Sequence, residues 1–464
     1  MKILLVVPDG VGVRNYLYSS FVKELENKGG EVMLYHQISD NAISEVEKVQ
    51  KNISVVKRFP SYIESPKARI LRESLAYARL LRNKKVLKND TILFFWGKNP
   101  KQFKQKVLYK LSETLGWLFS KSYKLILSAE KVYENEVSKS KTIQNIEKDF
   151  DAFNPDIVLN LHQRSPITAP IISVAKRRNI KTATVIFSWD NVPKGRLISR
   201  YDDYFVWSEL MKDELALLYP EIKKESIHVV GTPQFEFYFD PKFKLSREDF
   251  FAQHGLDPNK KTICFSANDL TSPYEQNYFA DVCEQVASIE EQNRPQILLR
   301  KCPVDKTIRF DATIEKYKNL VFPIDPDWRL DKSDNNSFTS IYPAFEDISL
   351  LVNTILHSEL VINLGSTMAH DFAVEDKPCL YLNYDPVENS VFKVKDIYNF
   401  QHFKSMENLD AVVWINSKAE IAEKIEQVLR NPKEAGKDKK LWMKKIVNYP
   451  LENNSKLIAE KIAQ

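Results

Sequence analysis
Residues 359–384 read ELVINLGSTMAHDFAVEDKPCLYLNY, and the fold turns on how this stretch is read. Val361-Ile362-Asn363-Leu364 is a short apolar run ended by Gly365. Ser366 to Val374 then follows helical spacing until Lys377-Pro378 stops it, and Cys379 to Tyr384 turns apolar again. The pattern predicts strand, glycine turn, helix, strand. In a parallel sheet such a turn lies at the carboxyl end of its strand, where backbone N–H groups and a helix start point at any anion in the crevice. Ser366 or Thr367 can cap that helix or offer a hydroxyl to the anion. An ordinary turn with a hydroxyl cap has the same spacing, so the stretch alone defines an architecture before it defines a ligand.

The rest of the chain repeats this grammar. With 464 residues it exceeds what one hydrophobic core organises and suits two α/β domains of roughly 200 residues each. Glycine is scarce and 43% of residues are hydrophobic, as in packed globular proteins without disordered or collagen-like tracts. Met1 to Asp9 (MKILLVVPD) has five consecutive apolar residues before a proline and an acid, which reads as a buried first strand and is too short for a signal peptide. No run approaches the roughly 18 apolar residues that span a bilayer, so a soluble or peripheral protein is expected. Cys264, Cys283, Cys302 and Cys379 share no metal-ligand spacing and read as reduced thiols of a cytosolic protein.

Charge is distributed unevenly. From Lys67 to Lys124 there are 15 Lys/Arg against Glu73, Asp90 and Glu113, an excess of +12 in a chain whose net charge is +5. Residues 67–90 and 98–125 read as basic helices interrupted by a strand from Thr91 to Trp96. Along the second helix Phe103, Val107, Leu108, Leu111, Leu115, Leu118 and Phe119 recur at helical intervals with lysines among them. Such a surface suits an anionic membrane; no nucleic-acid motif accompanies it, and nucleic acid is not expected as a partner. A solvated basic face on helices that pack inward is the plainer reading of the same residues.

Candidate site residues cluster at predicted strand ends. In the first domain, Asp9 opens a Gly10-Val11-Gly12 loop that lacks the GxGxxG pattern of dinucleotide sites. The strand Pro155 to Leu161 ends at His162, and Thr182 to Phe187 ends at Ser188-Trp189-Asp190-Asn191. Both ends are expected to face an interdomain crevice. Residues 240–260 make a linker. The second sheet begins at Thr262 to Ser266 with Asn268 beyond its end, and a strand from Pro295 ends in Arg300-Lys301, a fork and a point charge suited to a pyrophosphate.

Gly365-Ser366-Thr367-Met368-Ala369, Asp371 and Lys377-Pro378 resemble the donor-binding segment of GT-B glycosyltransferases, especially bacterial enzymes of capsule and surface-polysaccharide synthesis. The strand end Trp189-Asp190, the segment YDDYFVWSE at 201–209 and the exit Gly231-Thr232-Pro233 resemble the same family, so the likeness covers roughly residues 155–240 and 261–385. It implies a GT-B architecture of two Rossmann-like parallel-sheet domains: residues 1–240 on the acceptor side, 241–440 on the nucleotide side, and 441–464 crossing back onto the first. It also implies that Gly365, Ser366 and Thr367 meet a nucleotide diphosphate and that Asp371 holds the ribose.

The reaction implied is transfer of a sugar, of hexosyltransferase type, from a nucleotide diphosphate, UDP being the nucleotide the family uses most. The acceptor would be a surface polysaccharide or a lipid-linked glycan at the inner face of a bacterial membrane. Arg300, Lys301, Asn268 and the Gly365 turn would stabilise the leaving diphosphate without a metal or other cofactor. Asp9, His162 and Asp190 are the candidates for the acceptor's base, left unranked. Two alternatives stand beside it: a non-hydrolysing UDP-sugar epimerase on the same fold, and a basic nucleic-acid or lipid-binding module without catalysis.

Overall fold
The computed structural model describes residues 1–51, 53–98, 102–331, 339–388 and 392–464. They form two compact units: Met1–Pro233 with Phe400–His402 and Ile446–Gln464, and Gln234–Asn399 with Phe403–Lys445.

The first unit is built on a seven-stranded parallel sheet. Its strands are β1 (Lys2–Val7), β2 (Glu31–His36), β3 (Val55–Arg58), β4 (Ile157–Asn160), β5 (Lys181–Val185), β6 (Asp203–Val206) and β7 (Ile227–Val229). They lie in the order β3-β2-β1-β4-β5-β6-β7. Parallel strands are covered on both faces and so read as continuous apolar runs; Ile3 to Val7 and Ile157 to Leu159 are accordingly buried. The order reverses between β1 and β4, which pair directly from Ile3↔Ile157 to Val6↔Asn160. The last helix, Asn454–Ile462, packs on the helix Phe21–Asn27, and Lys28 pairs with Glu460 at 3.1 Å.

The basic region departs from its sequence reading in two ways. Thr91 to Trp96 is no strand: Asp90–Phe95 is a 3-10 helix, because Asn89 caps it through Thr91 and Ile92 packs on Ala76 and Leu80. The single helix expected over 98–125 is two, Phe103–Phe119 and Tyr123–Val137, and positions 99–101 of that expectation fall outside the described residues. The helix Pro66–Leu87 starts with Ser65 as N-cap and Pro66 in its first turn. Its arginines do not all meet solvent. Arg72 bonds Glu64 and Glu73, while Arg79, 2% exposed, bonds Glu130 and Glu221. Part of the charge excess is therefore neutralised inside the unit.

The second unit holds a six-stranded parallel sheet of β8 (Thr262–Ser266), β9 (Gln296–Arg300), β10 (Val321–Pro323), β13 (Leu360–Asn363), β14 (Cys379–Leu382) and β15 (Val413–Ile415). The intervening β11 (Trp328–Leu330) and β12 (Ile341–Pro343) pair antiparallel as a separate ribbon. The order β10-β9-β8-β13-β14-β15 again reverses once, between β8 and β13. The strand, turn, helix and strand read from residues 359–384 are β13, Gly365, the helix Met368–Val374 and β14. Among the described residues no helix is long and apolar enough to cross a membrane.

Candidate active site
Ligands of open α/β sheets bind beyond the carboxyl ends of the strands where strand order reverses. In the first unit that position belongs to β1 and β4, and two residues beyond each strand stand Asp9 and His162. The His162 Nδ1 lies 2.7 Å from Asp9 Oδ2, with both residues buried. A carboxylate accepts only, so Nδ1 carries the proton and donates, which leaves Nε2 as the acceptor. Among the described residues Nε2 makes no hydrogen bond.

The main chain explains why these two side chains meet. Asp9 Oδ1 accepts the amide of Val11 and so caps the short turn Gly10–Gly12. Gly12 is packed so closely on β4 that a Cβ there would stand 3.2 Å from the Leu161 Cβ. Gly12 therefore has a packing role beside the strand end that carries His162. Asn160 sets the histidine's backbone: its Oδ1 accepts the His162 amide at 3.3 Å, and its Nδ2 donates to the His162 carbonyl at 3.1 Å and the Tyr201 hydroxyl at 2.8 Å. Phe187 stands edge-on to the imidazole with centroids 4.7 Å apart. Sequence reading missed Asn160, although one amide inside the apolar run IVLNL was a visible signal.

Asp190 stands apart from that pair. Its Oδ2 takes a hydrogen bond from Lys194 at 2.5 Å and its Oδ1 one from Ser188 at 2.7 Å and one from Asn191 at 3.1 Å. Burial pushes its carboxyl up, but Lys194, His402 and the Ser188 hydroxyl together outweigh burial and hold it well below the usual carboxylate range. A carboxylate so held is a poor proton acceptor near neutrality.

In the second unit the reversal lies at β8 and β13, whose ends carry Asn268 and Gly365. The Asn268 Nδ2 donates to the Leu364 carbonyl at 2.6 Å, tying the two strand ends together one residue before the glycine. The Asn268 amide in turn donates to Glu275 at 3.1 Å, and its carbonyl accepts from Arg309 at 2.8 Å. Gly365 has φ +65, the left-handed region that glycine alone enters freely, and a Cβ there would meet Ile397 and Phe403 at 3.0 Å. The Ser366 amide donates to Asn363 Oδ1 at 2.9 Å, and Tyr381 donates to the Ser366 carbonyl at 3.1 Å. Thr367 is the N-cap of the helix Met368–Val374 by backbone geometry alone, with no side-chain capping bond, and it is exposed.

The remaining candidates have partners of their own. Asp371, 4% exposed, accepts a hydrogen bond from the Tyr238 hydroxyl at 2.8 Å. Arg300, 5% exposed, pairs through Nη2 with Asp347 at 3.2 Å, and its Nη1 has no partner among the described residues. Asp347 also accepts the amide of Asp327 and the indole N–H of Trp328, so it organises the strand end beside Arg300. Lys301 pairs with Asp325 at 3.1 Å. Lys377 donates to the carbonyls of Ile355, Leu356 and Ser358, stapling the end of the helix Asp347–His357, and burial lowers its ammonium to about 8. That gives the Lys-Pro pair a structural task. Tyr238, Asp347 and Arg309 gave no signal in the sequence, since each acts through a partner distant along the chain, and Glu275, whose partners Ser272 and Asn268 are near it, was missed as well.

No protein-family model matches the chain, and a search of curated proteins gives no match. Solved structures do resemble it along its whole length. The UDP-GlcNAc 2-epimerase from Neisseria meningitidis bound to UDP-GlcNAc has a TM-score of 0.55 at 13% identity, covering 100% of this chain and 99% of that one. The UDP-GlcNAc 2-epimerase from Methanocaldococcus jannaschii has a TM-score of 0.52 at 12% identity over 100% and 99%. A glycosyltransferase from Rickettsia africae has a TM-score of 0.52 at 14% identity over 100% and 97%. The chain thus has the GT-B fold, two Rossmann-like parallel-sheet domains, as its residues led one to expect. At such identities the likeness is one of fold.

Proposed function
We propose that this chain is a glycosyltransferase that moves a sugar from a nucleotide diphosphate, a UDP-sugar, to a glycan or lipid-linked acceptor without a metal. The observation that carries the reading is the Asp9–His162 pair at the reversal of the first sheet. Its Nε2 takes the proton of the acceptor hydroxyl as the acceptor oxygen bonds to the anomeric carbon. The bond from that carbon to the phosphate oxygen breaks, and its electron pair leaves with the nucleotide diphosphate. Asp9 holds the ring in the tautomer that can accept and stabilises the imidazolium that results.

The second unit takes the nucleotide. The diphosphate sits against the Gly365 turn, Arg300 Nη1, unmatched among the described residues, is its cationic donor, and Asp371 accepts from the ribose. Asn268 acts as a positioning residue, since its side chain is spent on the Leu364 carbonyl. Capsule or surface-polysaccharide synthesis is the pathway we assign, on the motif resemblance at 365–371.

A second reading, a non-hydrolysing UDP-sugar epimerase, is favoured by the epimerase names among the whole-length structural neighbours. In it the same histidine would remove the proton beside the anomeric carbon. Incubating the chain with UDP-sugar in D2O distinguishes the two. A transferase releases UDP only when an acceptor glycan is added and leaves the donor's carbon-bound hydrogens in place, whereas an epimerase yields an epimer carrying deuterium with no acceptor present. Acceptor-free epimer would overturn the transferase reading.

A further inference from the structure
The helix Phe103–Phe119 takes no part in the proposed reaction, and it is turned the opposite way from a helix that faces water. Its buried positions are the small ones, Ser112 and Gly116. It packs there on the helix Pro66–Leu87, so closely that a Cβ on Gly116 would lie 2.6 Å from the Ser74 carbonyl oxygen and 3.0 Å from the Tyr77 Cβ. Leu108, Tyr109, Leu115 and Phe119 are half-buried, but five large apolar residues point outward: Phe103 is 79% exposed, Val107 51%, Leu111 42%, Leu118 45% and Trp117 51%. Phe103, Val107, Leu111 and Leu118 fall along one stripe of a 3.6-residue helix, and Trp117 borders it.

Lysines rim that stripe. Lys104, Lys106 and Lys110 are exposed on the same helix, and Lys121 just beyond it sets its Nζ 3.8 Å over the Trp117 ring. The helix's one acid, Glu113, is already matched by Lys98 and the Trp96 indole N–H. An outward apolar stripe, broken by Thr114 and edged by exposed lysines of which only Lys110 lies near Glu113, needs a partner that is apolar inside and anionic at its surface. A second copy of the chain would set lysine rim against lysine rim in a two-fold contact. Nucleic acid would meet the lysines but leave Val107, Leu111 and Leu118 in water.

We propose that Phe103–Phe119 is a membrane-docking helix. It lies in the headgroup boundary of an anionic bilayer with Phe103, Val107, Leu111, Trp117 and Leu118 toward the acyl chains, and Lys104, Lys106, Lys110 and Lys121 at the lipid phosphates.

The test is co-sedimentation of the full chain with vesicles of phosphatidylcholine, alone or with one third phosphatidylglycerol. Each lysine near an anionic surface multiplies partitioning about fivefold, so the wild type should bind the mixed vesicles at least about tenfold more than the neutral ones. The Val107→Ser/Leu111→Ser/Leu118→Ser variant should lose at least about tenfold of that binding. The Lys104→Glu/Lys106→Glu/Lys110→Glu variant should lose the preference for anionic lipid. Because these side chains are exposed, both variants should keep the wild-type urea midpoint. Equal binding of the wild type to both vesicles, or retention unchanged by the serine substitutions, would overturn the proposal. So would failure to bind either vesicle together with a wild-type dimer that the serine substitutions abolish, a result that assigns the stripe to a second copy.

Discussion

Asp9 and His162 lie 153 residues apart in sequence and 2.7 Å apart in the fold, with the histidine's Nδ1 donating to the carboxylate. Their meeting follows from the strand order, because β1 and β4 are neighbours only if the chain crosses the sheet after β3. A general base contributes about 100- to 10,000-fold to a transfer rate. His162→Ala should therefore lower kcat by that range while leaving the KM for donor within about twofold, since the nucleotide is held elsewhere. Steady-state kinetics at saturating acceptor checks this, and full activity in His162→Ala would remove the histidine from the chemistry.

Asp190→Ala should behave differently. Its carboxylate is spent on Lys194 and Ser188, so the loss should appear in stability, with kcat changed by no more than a few-fold. If Asp190→Ala and not His162→Ala abolishes transfer, the base has been assigned to the wrong strand end.

Asp371→Ala should weaken nucleotide binding by about tenfold or more, the value of a hydrogen bond to a charged group. Tyr238→Phe keeps the carboxylate but removes the hydroxyl that donates to it, and should cost about fivefold. Titration calorimetry with UDP separates the two, and unchanged affinity in both variants would show that the Tyr238–Asp371 bond serves only the fold.

Glu275 gives a prediction in pH. It is fully buried and accepts from Ser272 and Asn268, and burial pushes its carboxyl up from 4.5 to about 7. A carboxyl raised in the folded state contributes stability that is fully present below 4.5 and is lost as the pH climbs through 7. Glu275→Gln removes that dependence while keeping the side chain's shape. Between about pH 4 and 8 the wild type should lose about 3 kcal/mol relative to the variant. Urea unfolding at the two ends of that range checks it, and parallel profiles would mean that folding does not raise this carboxyl.

Arg79 tests the interior of the basic region. At 2% exposure it bonds Glu130, Glu221 and the Tyr123 hydroxyl, so Arg79→Met should destabilise the protein by about 3 kcal/mol. Arg79→Lys should rescue little, because one ammonium cannot span those partners. A urea midpoint equal to wild type would contradict the buried network.

The two-sheet architecture was readable because parallel strands are apolar on both faces, and MKILLVV, IVLNL and LVINL announce themselves as such. Lateral order was not readable. Hydrophobicity gives each strand's direction into the core and says nothing about its neighbours, so Asp9, His162 and Asp190 stood as equals until β4 was found beside β1. Arg300 was read as awaiting a pyrophosphate, because Asp347, which meets it in the fold, lies 47 residues further along. The helix at 103–119 shows the limit most clearly: its apolar period was legible, but which face turns inward was decided by Ser112 and Gly116, whose small size carries no weight in a hydrophobic count.

The assignment of the nucleotide to the Gly365 turn is tested most directly by thermal unfolding of the purified chain with UDP, GDP, CMP, CDP and dTDP, each without metal and with EDTA. A ligand at about 100 times its dissociation constant stabilises by about 2.7 kcal/mol, a Tm rise of about 5–10 °C for a domain of this size. A rise of that order with a nucleoside diphosphate, UDP foremost, undiminished by EDTA and lost in Asp371→Ala, is the expected result. No shift with any of the five would contradict it.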